Sequence, residues 1–370
     1  MPKKGDILLN KYWSELAKRL DPYVPGEQPK DKKYIKLNTN ENPYGPSPRV
    51  LGAIRDCTGD SLKLYPDPTC DMLLTTAAEY YGLEKEQIFA GNGSDEILAF
   101  AYMAFFNPGK VILFPDITYS FYPVYAQLFN IDYRLVNVSE NFEIPEEELY
   151  NSPGGVIVAN PNAPTGKFLP VASIQRILDK NPSNAVIVDE AYIDFGGESA
   201  VKLIGDYPNL LVVHTFSKSR SLAGMRLGFA LGDSNLIKAM NRVKNSFNSY
   251  TINRLTIAAG IEAFKDVEYF EATRRKIIAT RERVSRKLAS MGFKLVDSEA
   301  NFLFAAHPDV KAAVLFAELR EKGILVRYFS KARIENYLRI TIGSDEEMDV
   351  FLAAVKDITR RPKCPPPPPR

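Results

Sequence analysis

The chain has 370 residues, 45% hydrophobic and 25% charged, which suits a globular protein with more than one core and excludes wholesale disorder. Its 47 Lys and Arg against 45 Asp and Glu leave a net charge of +2, so no basic excess marks a nucleic-acid surface. No apolar run approaches the ~20 residues of a membrane span, and Met1-Pro2-Lys3-Lys4 lacks an apolar signal core behind it, so a cytoplasmic location is expected.

Three cysteines, Cys57, Cys70 and Cys364, are odd in number and form no CxxC, which fits a reducing compartment without a disulfide framework. Two histidines, His214 and His307, cannot build a multi-histidine metal site. His214 lies in an apolar run and reads as a packed side chain, and His307-Pro308 reads as a turn.

In chain order, residues 10–48 are rich in proline and polar residues and read as an arm draped over the body. Ala90–Glu96 reads as a Gly-rich loop opening a helix, because Ile97, Leu98, Ala101, Tyr102 and Phe105 follow at helical spacing. The runs Val111–Phe114, Val156–Ala159, Ala185–Val188, Leu210–Val213 and Leu227–Leu231 read as buried parallel strands, with a helix at Val171–Leu178 between two of them. Such alternation predicts an α/β sheet with helices on both faces and ligands at the carboxyl ends of its strands. From about residue 266 the pattern changes to a basic helix over Glu271–Met291, strands at Asn301–Ala305 and Ile324–Tyr328, and a last helix from Asp345. The expected organisation is an arm with part of a small domain over 1–48, a large domain over 49–265, and a small α+β domain over 266–358. Residues 359–370, with the polyproline run Pro365–Pro369, are expected to be an extended, disordered tail.

Four segments carry chemistry. Lys218 follows an apolar strand and has Ser217 and Arg226 near it in sequence; an amine there suits a Schiff base with an aldehyde, and the other two suit a phosphate. Asp189 ends the apolar run Val186–Val188, where a carboxylate is costly unless a cation meets it, or serves as a helix cap. Ser94 and Asp95 stand where a new helix offers free N–H groups to an anion, though Ser94 could be a plain cap. Asn160-Pro161-Asn162-Ala163-Pro164-Thr165-Gly166 follows a strand as a rigid turn.

The order and spacing of these segments resemble the fold type I aminotransferases, and within them the histidinol-phosphate subfamily. The resemblance spans roughly residues 20–356. It rests on Leu20-Asp21-Pro22-Tyr23-Val24-Pro25-Gly26, Leu37-Asn38-Thr39-Asn40-Glu41-Asn42-Pro43, Tyr65-Pro66-Asp67-Pro68, Asp189-Glu190-Ala191-Tyr192, Ser217-Lys218 through Leu222-Ala223-Gly224-Met225-Arg226, and Tyr337-Leu338-Arg339-Ile340-Thr341-Ile342-Gly343. It implies a large domain with a mostly parallel central sheet, a smaller α+β domain, and pyridoxal 5'-phosphate as cofactor. By the same resemblance Lys218 would bond the cofactor and shuttle a proton, Asp189 would face its ring nitrogen, and Tyr192 its ring oxygen. Tyr119 would stack on the ring. The backbone around Ser94 and Asp95, with Ser217 and Arg226, would hold the phosphate. Tyr65 would reach the site of a second subunit, implying a homodimer. Tyr23, Asn42, Arg327 and Arg339 are the expected substrate contacts. The chain departs from the family at Ala163, where asparagine usually precedes Pro-Thr-Gly, and Asn162 is the candidate to replace it.

The reaction implied moves an amino group between L-histidinol phosphate and 2-oxoglutarate, giving imidazole acetol phosphate and glutamate in histidine biosynthesis. An aromatic amino acid aminotransferase and a threonine-phosphate decarboxylase share the motifs. A cofactor-binding regulator would need a DNA-binding module ahead of residue 20, where none is expected to fit.

Overall fold

The computed structural model describes residues 11–360. The chain's first four residues, Cys364 and the run Pro365–Pro369 lie outside them. In chain order the strands are β1 (Ile35–Leu37), β2 (Ile88–Gly91), β3 (Ile112–Pro115), β4 (Tyr133–Val136), β5 (Gly155–Ala159) and β6 (Val186–Asp189). They continue with β7 (Leu210–Thr215), β8 (Gly228–Gly232), β9 (Lys294–Val296), β10 (Phe302–Ala306), β11 (Ile324–Tyr328) and β12 (Leu338–Thr341). Seven form one sheet in the order β2-β8-β7-β6-β5-β3-β4, and five form another in the order β1-β11-β12-β10-β9.

Period-two alternation explains how the large sheet is covered on both sides. Val156, Val158, Val186, Val188, Leu210 and Val212 pack on one face with Leu73, Ile174, Ile177 and Ala263 from the helices Asp71–Tyr81, Val171–Asp179 and Arg254–Lys265. Ile157, Ile187, Leu211 and Val213 point to the other face, against Ile97, Tyr122 and Met240 of the helices Gly93–Phe105, Tyr122–Phe129 and Ser234–Phe247. Both faces are therefore apolar, and the strands read as continuous hydrophobic runs.

Three expectations need correcting. The run at 227–231 forms a strand, but β8 pairs antiparallel with both β2 and β7. Residues 216–227 return it to the sheet with only a short turn at Ala223–Met225 and no crossover helix, so the chain must reverse. Ala90 and Gly91 belong to β2 rather than to a loop, which shrinks the turn before the helix to Asn92. The arm also contains a short helix, Glu15–Arg19, that its composition did not announce; further along it β1 pairs parallel with β11, placing Leu37 in the core of the small sheet.

Reversal of β8 matters for function. Gly228 registers against both Gly91 and Thr215, so the start of β8 lies beside the carboxyl ends of β2 and β7. Arg226 therefore arrives at the same edge as Ser94, Asp189 and Lys218.

Candidate active site

At that edge lies a cavity of about 340 Å³, closed on its far side by Arg327, Phe329 and Arg339. Its inner end is built for an anion. The helix Gly93–Phe105 starts without a side-chain cap. Gly93 adopts φ +79°, and a Cβ there would stand 2.6 Å from a terminal nitrogen of Arg226, so only glycine lets the guanidinium lie against the first turn. Arg226 donates to Asp95 Oδ2 (3.0 Å), while Tyr119 donates its hydroxyl to Asp95 Oδ1 (2.9 Å). Ser217, buried beside Thr215, accepts from the Thr215 hydroxyl at 3.0 Å. A helix start, a guanidinium and a hydroxyl that line one cavity suit a phosphate.

Asp189 ends β6 and is 5% exposed. Its carboxylate accepts from the Tyr122 hydroxyl (2.9 Å) and the Ala191 N–H (3.3 Å). Burial pushes its pKa up to about 6 against the opposing pull of those hydrogen bonds. A carboxylate buried this way suits a protonated ring nitrogen. The cap reading fails here because no helix follows Asp189; the next element is a short turn at Ile193–Phe195.

Lys218 Nζ sits 5.8 Å from the centre of the Tyr192 ring and donates to the Thr39 carbonyl at 3.3 Å. Asn42 braces the lysine loop, donating to the carbonyls of Lys218 (3.1 Å) and Ser219 (3.0 Å).

The outer end carries an unusual charge pair. Arg327 and Arg339 stand directly opposite each other in the β11–β12 ladder. Like charges so placed repel. Burial lowers the pKa of Arg339, and Arg327 depresses it further. Arg339 donates to the Asn38 carbonyl at 2.9 Å, yet its Nε is sealed from solvent with no partner. The two guanidiniums call for an anion. Tyr23 closes this end, stacked on Phe121 at 4.7 Å.

The fold thus brings Tyr23, Ser94, Asp95, Tyr119, Asp189, Tyr192, Ser217, Lys218, Arg226, Arg327 and Arg339 around one cavity. Three expected residues stand elsewhere. Both N–H bonds of the Asn162 amide are committed to the Ile117 carbonyl (2.9 Å) and Thr165 (3.0 Å), while its oxygen accepts from Thr118 at 2.8 Å. Asn42 acts behind the lysine. Tyr65 is 78% exposed and stacks on Tyr250 at 4.6 Å, away from its own chain's cavity. Two residues with clear contacts here were not singled out from sequence. Tyr122 opens the helix Tyr122–Phe129 three residues after Tyr119, and no sequence signal placed it beside Asp189. Asn40 stood unassigned inside a quoted motif.

The sequence pattern of the family Aminotransferase class I and II matches residues 32–355. A histidinol-phosphate aminotransferase of Clostridium acetobutylicum is 58% identical over 94% of this chain and 99% of its own. Another, from Clostridium beijerinckii, is 54% identical over 95% and 98%. Among solved structures, the histidinol-phosphate aminotransferase of Sinorhizobium meliloti in complex with pyridoxal-5'-phosphate superposes with a TM-score of 0.86. It shares 26% identity, covering 95% of this chain and 98% of that one. With a cradle, a buried carboxylate and a lysine at one sheet edge, and with relatives of this similarity along nearly its whole length, the chain belongs to the class I and II aminotransferases and, among them, to the histidinol-phosphate aminotransferases.

Proposed function

We propose that this chain transfers an amino group between L-histidinol phosphate and 2-oxoglutarate, using pyridoxal 5'-phosphate, in histidine biosynthesis. The observation that carries the reading is the pairing of two anion sites across one cavity. One is the cradle of Ser94, Asp95, Ser217 and Arg226; the other is the arginine pair Arg327 and Arg339. The cofactor, when bound, supplies an electron sink for the carbon losing its proton.

The chain's own residues supply the rest. The backbone N–H groups at Ser94 and Asp95, with Ser217 and Arg226, would hold the cofactor phosphate, and Tyr119 would pack on the ring. Asp189 would keep the ring nitrogen protonated, the state in which the cofactor draws electrons best. Tyr192 donates to the ring oxygen. Lys218 would hold the cofactor at its aldehyde carbon and, once the substrate amine has displaced it, its free amine would carry the proton between the substrate carbon and that carbon. Asn42 holds the lysine loop in place. Arg327 and Arg339, with Tyr23, bind the substrate phosphate or the distal carboxylate of glutamate, because a guanidinium forks onto either. Asn162 serves by fixing the turn that carries Ala163.

The same reading makes the protein a cytoplasmic homodimer of two-domain subunits, divided near residues 48 and 265, with Tyr65 reaching the partner's site. Borohydride reduction of the loaded protein tests the lysine. The peptide bearing Lys218 should carry the cofactor mass, and Lys218→Ala should carry none at that peptide. Cofactor mass on a different lysine of the parent protein contradicts the assignment.

A further inference from the structure

Asn40 is 1% exposed and adopts φ 57°, a left-handed conformation that asparagine tolerates. Its backbone N–H donates to the Thr341 hydroxyl oxygen (3.0 Å), and its carbonyl accepts from the Asn301 side chain (3.0 Å). Both contacts tie it to the small sheet. Its side-chain amide bridges the two sides, and the Nδ2 donates to the Tyr192 hydroxyl at 2.9 Å.

The surroundings fix which end of the amide faces Tyr192. Because the Asn40 N–H already points at the Thr341 oxygen, the Thr341 proton is free to go to Asn40 Oδ1, at 2.9 Å. A flipped amide would present two donors to Thr341 and leave its proton without an acceptor. Tyr192 therefore receives a donor, and its own proton must go elsewhere. Among the described residues the hydroxyl makes no other hydrogen bond. Its ring rests on Phe302, edge-on at 5.0 Å, within an apolar cluster that includes Ala163 and Ala300. The open direction is the cavity, which Tyr192 lines.

We propose that Asn40 is a positioning residue for the cofactor's ring oxygen. It turns the Tyr192 proton into the cavity, and with Ala163 apolar and the Asn162 amide committed, the Asn40–Tyr192 pair is the donor that oxygen receives from this side. The proposal rests on the pyridoxal-phosphate reading above and deepens it. A donor to the ring oxygen favours its anionic form, so the pair sets both cofactor affinity and the pH at which the bound cofactor's visible band titrates.

The test uses full-length protein loaded with pyridoxal phosphate. Equilibrium dialysis gives the dissociation constant, and absorbance gives the pH midpoint, for the parent, Asn40→Gly, Asn40→Asp, Tyr192→Phe and the Asn40→Gly/Tyr192→Phe double variant. Glycine suits the left-handed backbone, and aspartate keeps the shape while replacing the donor by an acceptor that takes the tyrosine proton. Asn40→Gly and Tyr192→Phe should each weaken cofactor binding about tenfold, as for one lost hydrogen bond to a charged group. Each should also move the pH midpoint in the same direction. The double variant should lose no more than Tyr192→Phe alone, and Asn40→Asp should lose at least as much as Asn40→Gly. Asn40→Asp carries the test alone if Asn40→Gly does not fold. Losses that multiply in the double variant, or an Asn40→Asp protein that matches the parent, overturn the proposal. Parent protein that takes up no cofactor overturns the underlying reading instead.

Discussion

Asp189 has opposite consequences in the empty and the loaded site. Burial raises its pKa from 3.8 to about 6, so the folded chain holds this proton more tightly than the unfolded chain does. Its contribution to stability is then full below about pH 4 and is lost as pH rises through 6, an effect on the order of 3 kcal/mol. Asp189→Asn is neutral throughout. Without cofactor the variant should therefore gain stability over the parent between about pH 4 and about pH 8, as read by urea denaturation at both values. A difference that does not change with pH contradicts the buried-carboxylate account. With cofactor the order should reverse, because on the proposed reading the variant has lost the charge that meets the ring nitrogen. Little of this was visible in the sequence beyond the residue itself. A carboxylate after Val186-Ile187-Val188 states that a cost exists, but Tyr122 and Ala191, which complete its surroundings, come from packing.

Among the elements, β8 decides whether the phosphate cradle closes. A Cβ on Gly228 would stand 2.8 Å from the Ser94 backbone nitrogen, 2.9 Å from the Gly93 carbonyl carbon and 3.0 Å from the His214 oxygen. Backbone atoms on both sides cannot yield as a side chain can. Gly228→Ala should cost about 1–3 kcal/mol by overpacking and weaken cofactor binding as β8 moves away from the helix start. Gly205→Ala, with open space around it, is the control and should match the parent in both respects. Unchanged cofactor affinity in Gly228→Ala contradicts the close seating of β8 on the cradle.

The element scale also shows how far the sequence can be read. Central strands such as β5, β6 and β7 were legible because both faces are buried and their runs are unbroken. That same uniformity hid the direction of β8, since an antiparallel strand buried on both faces carries the same pattern. β4, with three of four residues exposed at the sheet edge, and the three-residue β1 and β9 are too polar or too short to signal themselves. For the site, the motifs placed Lys218, Asp189 and Arg226 at strand ends. The standing of Asn162 behind the wall was not legible, because turn composition does not reveal where an amide's protons point.

At the scale of the molecule, Tyr65 is exposed and stacked on Tyr250, and several exposed apolar residues lie close to these two in sequence. Leu62, Leu64, Met72, Phe247 and Tyr250 are all exposed, and Arg254 donates to the Tyr65 carbonyl at 3.1 Å. Exposed apolar side chains, where they cluster, mark a partner's surface. If the partner is a second copy that receives Tyr65, mixing Tyr65→Phe with Lys218→Ala subunits should rebuild one intact site per hybrid dimer. Activity should then return to about a quarter of the parent value at equal mixing. No recovery, with subunit exchange shown by mass, contradicts a shared site.

On the proposed reading, one cavity binds histidinol phosphate between a cofactor cradle and an arginine pair and takes its amino group. A single-turnover half-reaction tests it most directly. Loaded protein is mixed with L-histidinol phosphate and no acceptor, and the visible band of the bound aldehyde is followed. The band should be lost as histidinol phosphate is added in excess, and should return when excess 2-oxoglutarate is added. A band that persists with histidinol phosphate yet collapses with phenylalanine, or carbon dioxide released from threonine phosphate, would contradict it.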